Sequence, residues 1–279
     1  MKRKLLAILL AAAMTLTFVS CASGTDTNTG SGDTTAAPGG ATADLGLLTP
    51  GTLKVGMEIG YPPFEYFSDD GKTPLGVDVE LAKALGKELN LEVVFEDTKW
   101  DAIFSGLFTS KYDVIMSAVT ILPDRKTEML FSEPYIENWQ AIAVRKGGAR
   151  VLSPTGLDGL KVGYQDETTS DAYIKGLIDT GALNCEVNEY EKVLQAFSDL
   201  KLGRIDAIIC DSTVADSYVA REGDTYEISW IQSSDPDAEA ETFGIAIKLG
   251  NEALQKAVNE ALKKLKDNGT LAQILQDNL

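Results

Sequence analysis

Two segments of this chain repeat one design. Residues 112–120 (YDVIMSAVT) and 205–213 (IDAIICDST) are short apolar runs that break off into small polar residues. Runs of that kind predict strands buried on both faces of a parallel sheet, each opening at its carboxyl end into a loop. A shorter echo precedes each of them: Leu53-Lys54-Val55-Gly56 recurs as Leu160-Lys161-Val162-Gly163, both times opening a strand after a glycine-containing turn. Two echoes in the same order imply two lobes of related design. Open α/β sheets take ligands at the carboxyl ends of their strands. There the first segment leads on to a cation, Arg125, and the second holds an anion, Asp211. Lobes that present opposite charges to the space between them suit a zwitterion.

The spacing of apolar residues predicts a βαβαβ unit in the first lobe, with strands over 53–59, 91–96 and 112–117 and helices over 78–89 and 101–108. Leu81, Leu85 and Leu89 fall four apart on one face of the first helix. Such units force right-handed crossovers and parallel pairing. A strand over 140–144 runs into Arg145-Lys146-Gly147-Gly148, which reads as a lobe boundary. The second unit then has strands near 161–164, 185–187 and 205–210 and helices near 169–178 and 192–200. A strand over 243–249 and a helix over 252–266, striped by Leu254, Val258, Ala261, Leu262 and Leu265, return to the first lobe. The expected division is 49–143 plus 243–279 for lobe 1 and 144–242 for lobe 2. Two crossings, near 141–144 and 242–245, then form a hinge.

Residues 1–20 carry Lys2-Arg3-Lys4 followed by an almost wholly apolar run, a secretory signal shorter than the ~20 residues of a membrane span. Ser20-Cys21 resembles a bacterial lipobox, although Phe18 stands where leucine is usual, so lipid on Cys21 is expected to hold the chain at the membrane. Residues 21–48, rich in Gly, Thr, Ser and Ala, read as a flexible linker. Removal of residues 1–20 takes away three basic and no acidic side chains and moves the net charge from −17 to −20, which speaks against nucleic acid as a partner. The chain has no histidine and no CxxC spacing, so metal sites and His-dependent catalysis lack their usual residues and no cofactor is expected. Cys210 reads as a small buried hydrophobe, while export also allows a Cys185–Cys210 disulfide.

Several motifs occur in order: Gly60-Tyr61-Pro62-Pro63-Phe64-Glu65, Leu75-Gly76-Val77-Asp78-Val79-Glu80, Trp100-Asp101, Lys111-Tyr112-Asp113, Thr120-Ile121-Leu122-Pro123-Asp124-Arg125 and Phe131-Ser132-Glu133-Pro134-Tyr135. Together they resemble the polar amino-acid solute-binding proteins of bacterial ABC importers, over most of residues 50–279. The resemblance implies a two-lobed α/β fold of the periplasmic-binding-protein type II, an ABC permease as partner, a free amino acid as ligand and no catalysis. It implies that Arg125, with Thr120 and the backbone near Ser117 and Ala118, holds the ligand carboxylate. Asp211 would receive the α-ammonium, Tyr61 and Trp100 would flank the side chain, and the Thr168 and Thr169 loop would add contacts to the carboxylate.

Each residue also has a plainer reading. Arg125 could pair with Asp124 or Glu128, Asp211 could cap a helix, and Tyr61 and Trp100 could be core. Glu167 stands where the family commonly has glycine. Glu58 matches a position that is acidic in members taking basic side chains, so lysine, arginine or ornithine is favoured, with glutamine and cystine open. The same fold also hosts a cyclohexadienyl dehydratase, in which Glu58, Glu167 or Asp211 would supply the acid.

Overall fold

The computed structural model describes residues 44–279. The expected leader and Cys21 lie outside the described residues. The first lobe runs through β1 (Thr52–Met57), a two-stranded ribbon of β2 (Tyr66–Phe67) and β3 (Pro74–Leu75), α1 (Val77–Leu89), β4 (Glu92–Asp97), α2 (Trp100–Phe108), β5 (Val114–Ile115), α3 (Arg125–Glu128) and β6 (Met129–Phe131). The chain leaves it through β7 (Ile136–Asn138). The second lobe comprises β8 (Gln140–Arg145), β9 (Lys161–Gln165), α4 (Thr169–Asp179), β10 (Glu186–Tyr190), α5 (Val193–Leu202), β11 (Ala207–Asp211), α6 (Ser212–Glu222) and β12 (Tyr226–Ile231). The return path is β13 (Glu241–Phe243), and β14 (Ala246–Lys248), α7 (Glu252–Asp267) and α8 (Thr270–Asn278) complete the first lobe.

The two sheets have orders β4-β1-β5-β14-β6 and β10-β9-β11-β8-β12. In each, three consecutive strands are parallel, as the βαβαβ pattern requires, and the repeated sequences occupy matching places: β1 and β9 sit between their neighbours, and β5 and β11 pair beside them. The match extends to single bonds. Asp113 accepts from the Lys54 amide at 2.8 Å, and Asp206 accepts from the Lys161 amide at 3.0 Å. Gly56 lies under the Tyr112 ring and Gly163 under Ile205, so a Cβ would come within 2.5 and 2.6 Å of those side chains. The glycine and the aspartate of each echo therefore lock the middle strand to the next.

Neither sheet is wholly parallel. β14 runs antiparallel to β5 and β6, and β8 runs antiparallel to β11 and β12, because both enter from a crossing and not from a helix. The expected strand over 243–249 is two strands, split where the return path changes partners. β7 and β13 pair with each other as a separate antiparallel ribbon, Asn138 opposite Glu241 and Ile136 opposite Phe243, so the two crossings are hydrogen-bonded side by side. The whole of β8 belongs to the second sheet, which puts the outward crossing ahead of the expected boundary at 143/144. The expected linker also ends early: the Leu48 amide donates to Asp113, Asn251 donates to the Leu45 carbonyl, and Leu45 and Leu47 pack on the core. Both Cys185 and Cys210 are free thiols, the latter buried as expected. Among the described residues no helix is long and apolar enough to cross a membrane.

Candidate functional site

The carboxyl ends of the parallel strands of both sheets point at one cleft of about 330 Å³, counting the part open to solvent. β1 delivers Glu58 and the Tyr61 turn, β5 delivers Ser117, Ala118 and Thr120, and the residue after β4 leads to Trp100 at the start of α2. The second lobe contributes Gln165 from the end of β9, Thr168 and Thr169 from the start of α4, and Asp211 from the end of β11. All ten residues expected at the site line this cavity, together with Gln165, which was not expected. Gln165 was legible by the rule that singled out Asp211, since it is the polar residue on which a parallel strand ends.

Arg125 reaches back from α3, its Nη1 donating to the Thr120 carbonyl at 3.1 Å. Its guanidinium lies 5.0 Å from the centre of the Phe104 ring and 5.8 Å from that of Trp100. No carboxylate oxygen among the described residues comes within 4.0 Å of it, so the surface ion pair with Asp124 or Glu128 is not made. Asp124 instead accepts from the Arg125 amide, as the cap of α3. Burial pulls the Arg125 pKa down, yet at neutral pH the group remains a cation. A half-buried, unpaired guanidinium beside aromatic rings is set to receive an anion.

Asp211 stands at the N-cap position of α6 but its side chain caps nothing. It accepts from the Tyr61 hydroxyl at 2.5 Å and from Asn138 Nδ2 at 2.7 Å, with Gln140 Nε2 at 3.4 Å. Burial, reinforced by nearby Glu241, pushes its pKa up to about 7. Glu241 is another residue that the sequence reading missed. It lies on the return crossing and accepts from Gln140 and from the Thr169 hydroxyl at 3.1 and 3.3 Å. Gln140, wholly buried at the start of β8, thus ties both crossings to the second-lobe side of the cavity. The Thr168 hydroxyl is spent locally: it caps α4 through the Asp171 amide and donates to the Gln165 carbonyl.

Glu58 is buried at 2% exposure, and burial raises its pKa to about 7. Its Oε2 accepts from Gln165 Nε2 across the cleft at 2.7 Å, while Oε1 has no partner. Further contacts join the lobes. Trp100 Nε1 donates to the Glu167 carbonyl at 3.0 Å, and Lys192 Nζ donates to the Ile59 carbonyl at 3.3 Å. Glu167 has φ +59°, a left-handed conformation that explains why glycine is common there; its side chain is exposed and lies outside the cavity. Elsewhere, Asp166, Asp171 and Glu189 converge, but the Lys175 ammonium sits among them at 3.7, 2.8 and 2.9 Å.

A cavity between two α/β lobes, lined by one cation and two carboxyl groups, defines a two-lobed binding protein of type II. The chain belongs to the family described as bacterial extracellular solute-binding proteins, family 3, which it matches over residues 53–278. It is 35% identical over 234 residues to the L-cystine-binding protein TcyJ of Escherichia coli K12, covering 82% of this chain and 84% of that one. Among solved structures it resembles an ancestral arginine-binding protein bound to arginine, with TM-score 0.76, 35% identity and coverage of 82% and 98%. It also resembles an ancestral amino acid-binding protein that is a precursor of cyclohexadienyl dehydratase, with TM-score 0.74, 35% identity and coverage of 82% and 95%.

Proposed function

We propose that this chain is the substrate receptor of an amino-acid ABC importer, exported and tethered through lipid on Cys21, and that it closes on an α-amino acid with a basic side chain. The carboxylate of the ligand meets Arg125, its α-ammonium meets Asp211, and its distal cation meets Glu58. One observation carries the preference for lysine, arginine or ornithine: Glu58 keeps a buried oxygen, Oε1, with no donor facing the cavity. A basic side chain supplies that donor and a counter-charge, whereas a neutral one leaves Glu58 protonated or unpaired. The ring of Trp100 adds a face for a guanidinium. Binding requires no bond to be made or broken.

Calorimetry with L-arginine, L-lysine, L-ornithine, L-glutamine and L-cystine tests the reading. Tight binding of the first three supports it; binding of glutamine or cystine alone overturns the basic preference and leaves the receptor standing. The likeness to the dehydratase precursor favours a second reading, in which Glu58 or Asp211, raised toward neutrality, acts as an acid. Incubation with arogenate or prephenate decides between the two, since a receptor leaves both unchanged.

A further inference from the structure

Two acidic residues of the sequence motifs have no place in the ligand contacts above. Glu65 closes the Tyr61 turn and Asp78 stands in the first turn of α1, and both are wholly buried at 0% exposure. Gly76 brings them together: it adopts φ +118°, and a Cβ there would lie within 2.3 Å of the Phe64 carbonyl, so only glycine lets α1 begin against this turn. The Val77 and Asp78 amides then donate to the Pro63 and Phe64 carbonyls at 3.0 Å each.

Their contacts with the adjacent residues Ser117 and Ala118 set the two carboxyl groups side by side, close enough to hydrogen-bond one another. A carboxylate oxygen only accepts, so a bond between two carboxyl groups requires a proton on one of them. The remaining contacts leave one place for it. Glu65 Oε1 accepts from the Ser117 hydroxyl at 2.5 Å, and Asp78 Oδ2 accepts from the Ala118 amide at 2.8 Å. Glu65 Oε2 is buried with no N–H or O–H donor, and the otherwise unpartnered Tyr135 hydroxyl stands beside Asp78 as a donor to it. Among the described residues neither group forms an ion pair. The ionisable groups facing the pair are Glu58 and Tyr135, and Glu58 raises Glu65 further. Asp78 has the N-terminal field of α1 and a backbone donor on its side, which places the negative charge on Asp78 and the proton on Glu65.

We propose that Glu65 and Asp78 hold a single proton between them and act as one buried unit that fixes Ser117 and Ala118 on the wall of the cavity, which makes both of them positioning residues. The contacts run in one direction: the Glu58 amide donates to Ser117 Oγ at 3.0 Å, Ser117 donates to Glu65, Glu65 donates to Asp78, and Asp78 receives Ala118, whose φ is +47°. The Asp78 contact on its amide helps to hold this alanine in the left-handed region. The inference rests on the cavity being the ligand site for its functional meaning, but its structural content does not depend on which ligand enters.

The test uses the ligand-free protein. Infrared spectra at about pH 9, above the range to which Glu58 and Asp211 are raised, should show a protonated carboxyl C=O band that Glu65→Gln removes. Absence of the band from the wild type, or its survival in Glu65→Gln, overturns the shared proton. Amide exchange at Ala118 reads the positioning role. Glu65→Gln, which accepts from Ser117 and donates to Asp78 as the acid does, should keep its protection within about threefold, and Glu65→Leu should lower it by about tenfold or more. If the leucine variant does not fold, Ser117→Ala cuts the same contact from the loop side. Equal losses in the glutamine and leucine variants, or no loss in either the leucine or the Ser117→Ala variant, would overturn the positioning role. Failure of every amino acid to bind would sink the receptor reading while leaving both readouts intact.

Discussion

Gln165 Nε2 lies 2.7 Å from Glu58 Oε2, so a second-lobe amide holds a first-lobe carboxyl that lines the cavity and whose other oxygen is buried without a partner. That bond fixes the Glu58 side chain and leaves Oε1 free to accept from a ligand. Glu58→Gln should therefore weaken binding of arginine or lysine by at least about 1.4 kcal/mol, a factor of ten, with a smaller change for glutamine. Calorimetry on the wild type and Glu58→Gln decides it; equal losses for charged and neutral ligands would mean that Glu58 reads no charge.

The pH dependence follows from the same groups. Glu58 is raised from 4.5 to about 7 and Asp211 from 3.8 to about 7, both chiefly by burial. Each holds its proton more tightly folded than unfolded, so the empty protein binds more protons than the unfolded chain between roughly pH 4 and 7, and its stability falls as pH rises through that window. A cationic ligand favours the ionised carboxyls, so affinity should rise with pH up to about 7 and then level off, with protons released on binding below that point. Buffers of different ionisation enthalpy would expose the release. A flat affinity from pH 5.5 to 8 would show that neither carboxyl meets a cation.

Arg125 carries the opposite charge. Arg125→Ala should cost roughly 3–5 kcal/mol of ligand binding, because the ligand carboxylate would be enclosed without a partner. Arg125→Lys keeps the charge but loses the planar fork and the stacking on Trp100 and Phe104, so it should recover only part of the loss. Wild-type affinity in Arg125→Ala would place the ligand carboxylate elsewhere.

At Glu167 the backbone conformation, not the side chain, is what the site uses. The left-handed φ of +59° costs a non-glycine residue roughly 1–3 kcal/mol, while its carbonyl accepts from Trp100 and its carboxylate faces solvent. Glycine would relieve the strain and add freedom to the unfolded chain, effects of opposite sign. Glu167→Gly should thus leave ligand affinity within about twofold and raise stability by up to about 1 kcal/mol. Thermal melts and calorimetry check both; a large loss of affinity would give the carboxylate a role that its exposure denies.

Much of this arrangement was legible because period and strand ends are local signals. The echo of 53–56 in 160–163 gave matching central strands, the ends of the apolar runs pointed to Asp211 and on to Arg125, and Ser117 and Thr120 came from the family resemblance. What the sequence concealed depends on the tertiary path. The antiparallel β8 and β14 look like any other apolar run until their entry direction is known, so the boundary at 143/144 fell inside a strand. Gln140 and Glu241 are polar residues flanking apolar segments, with nothing in period or spacing to say that the crossings bring them together beside Asp211. Their contact is set by the β7 and β13 ribbon, which joins residues about a hundred positions apart.

That ribbon is also where we expect the lobes to pivot. β7 and β13 are three residues each and belong to neither large sheet, Phe243 adding a single bridge to Thr120, whereas both flanking sheets are continuous, so a pivot between the lobes should concentrate there. Closing the empty cleft desolvates Glu58 and Asp211, and the shut form is held by Tyr61 on Asp211, Gln165 on Glu58 and Trp100 on Glu167. Each of these hydrogen bonds joins the lobes directly, and each is worth only about 1 kcal/mol net, so an empty cleft should open readily and a bound amino acid should shift the population toward the shut form. Solution scattering should show a smaller radius of gyration on adding saturating ligand. Trp100→Phe, which keeps a ring and removes the donor to Glu167, should lower affinity by about threefold to tenfold without moving the thermal midpoint of the empty protein. A radius unchanged by a ligand whose binding calorimetry has verified would rule out the hinge.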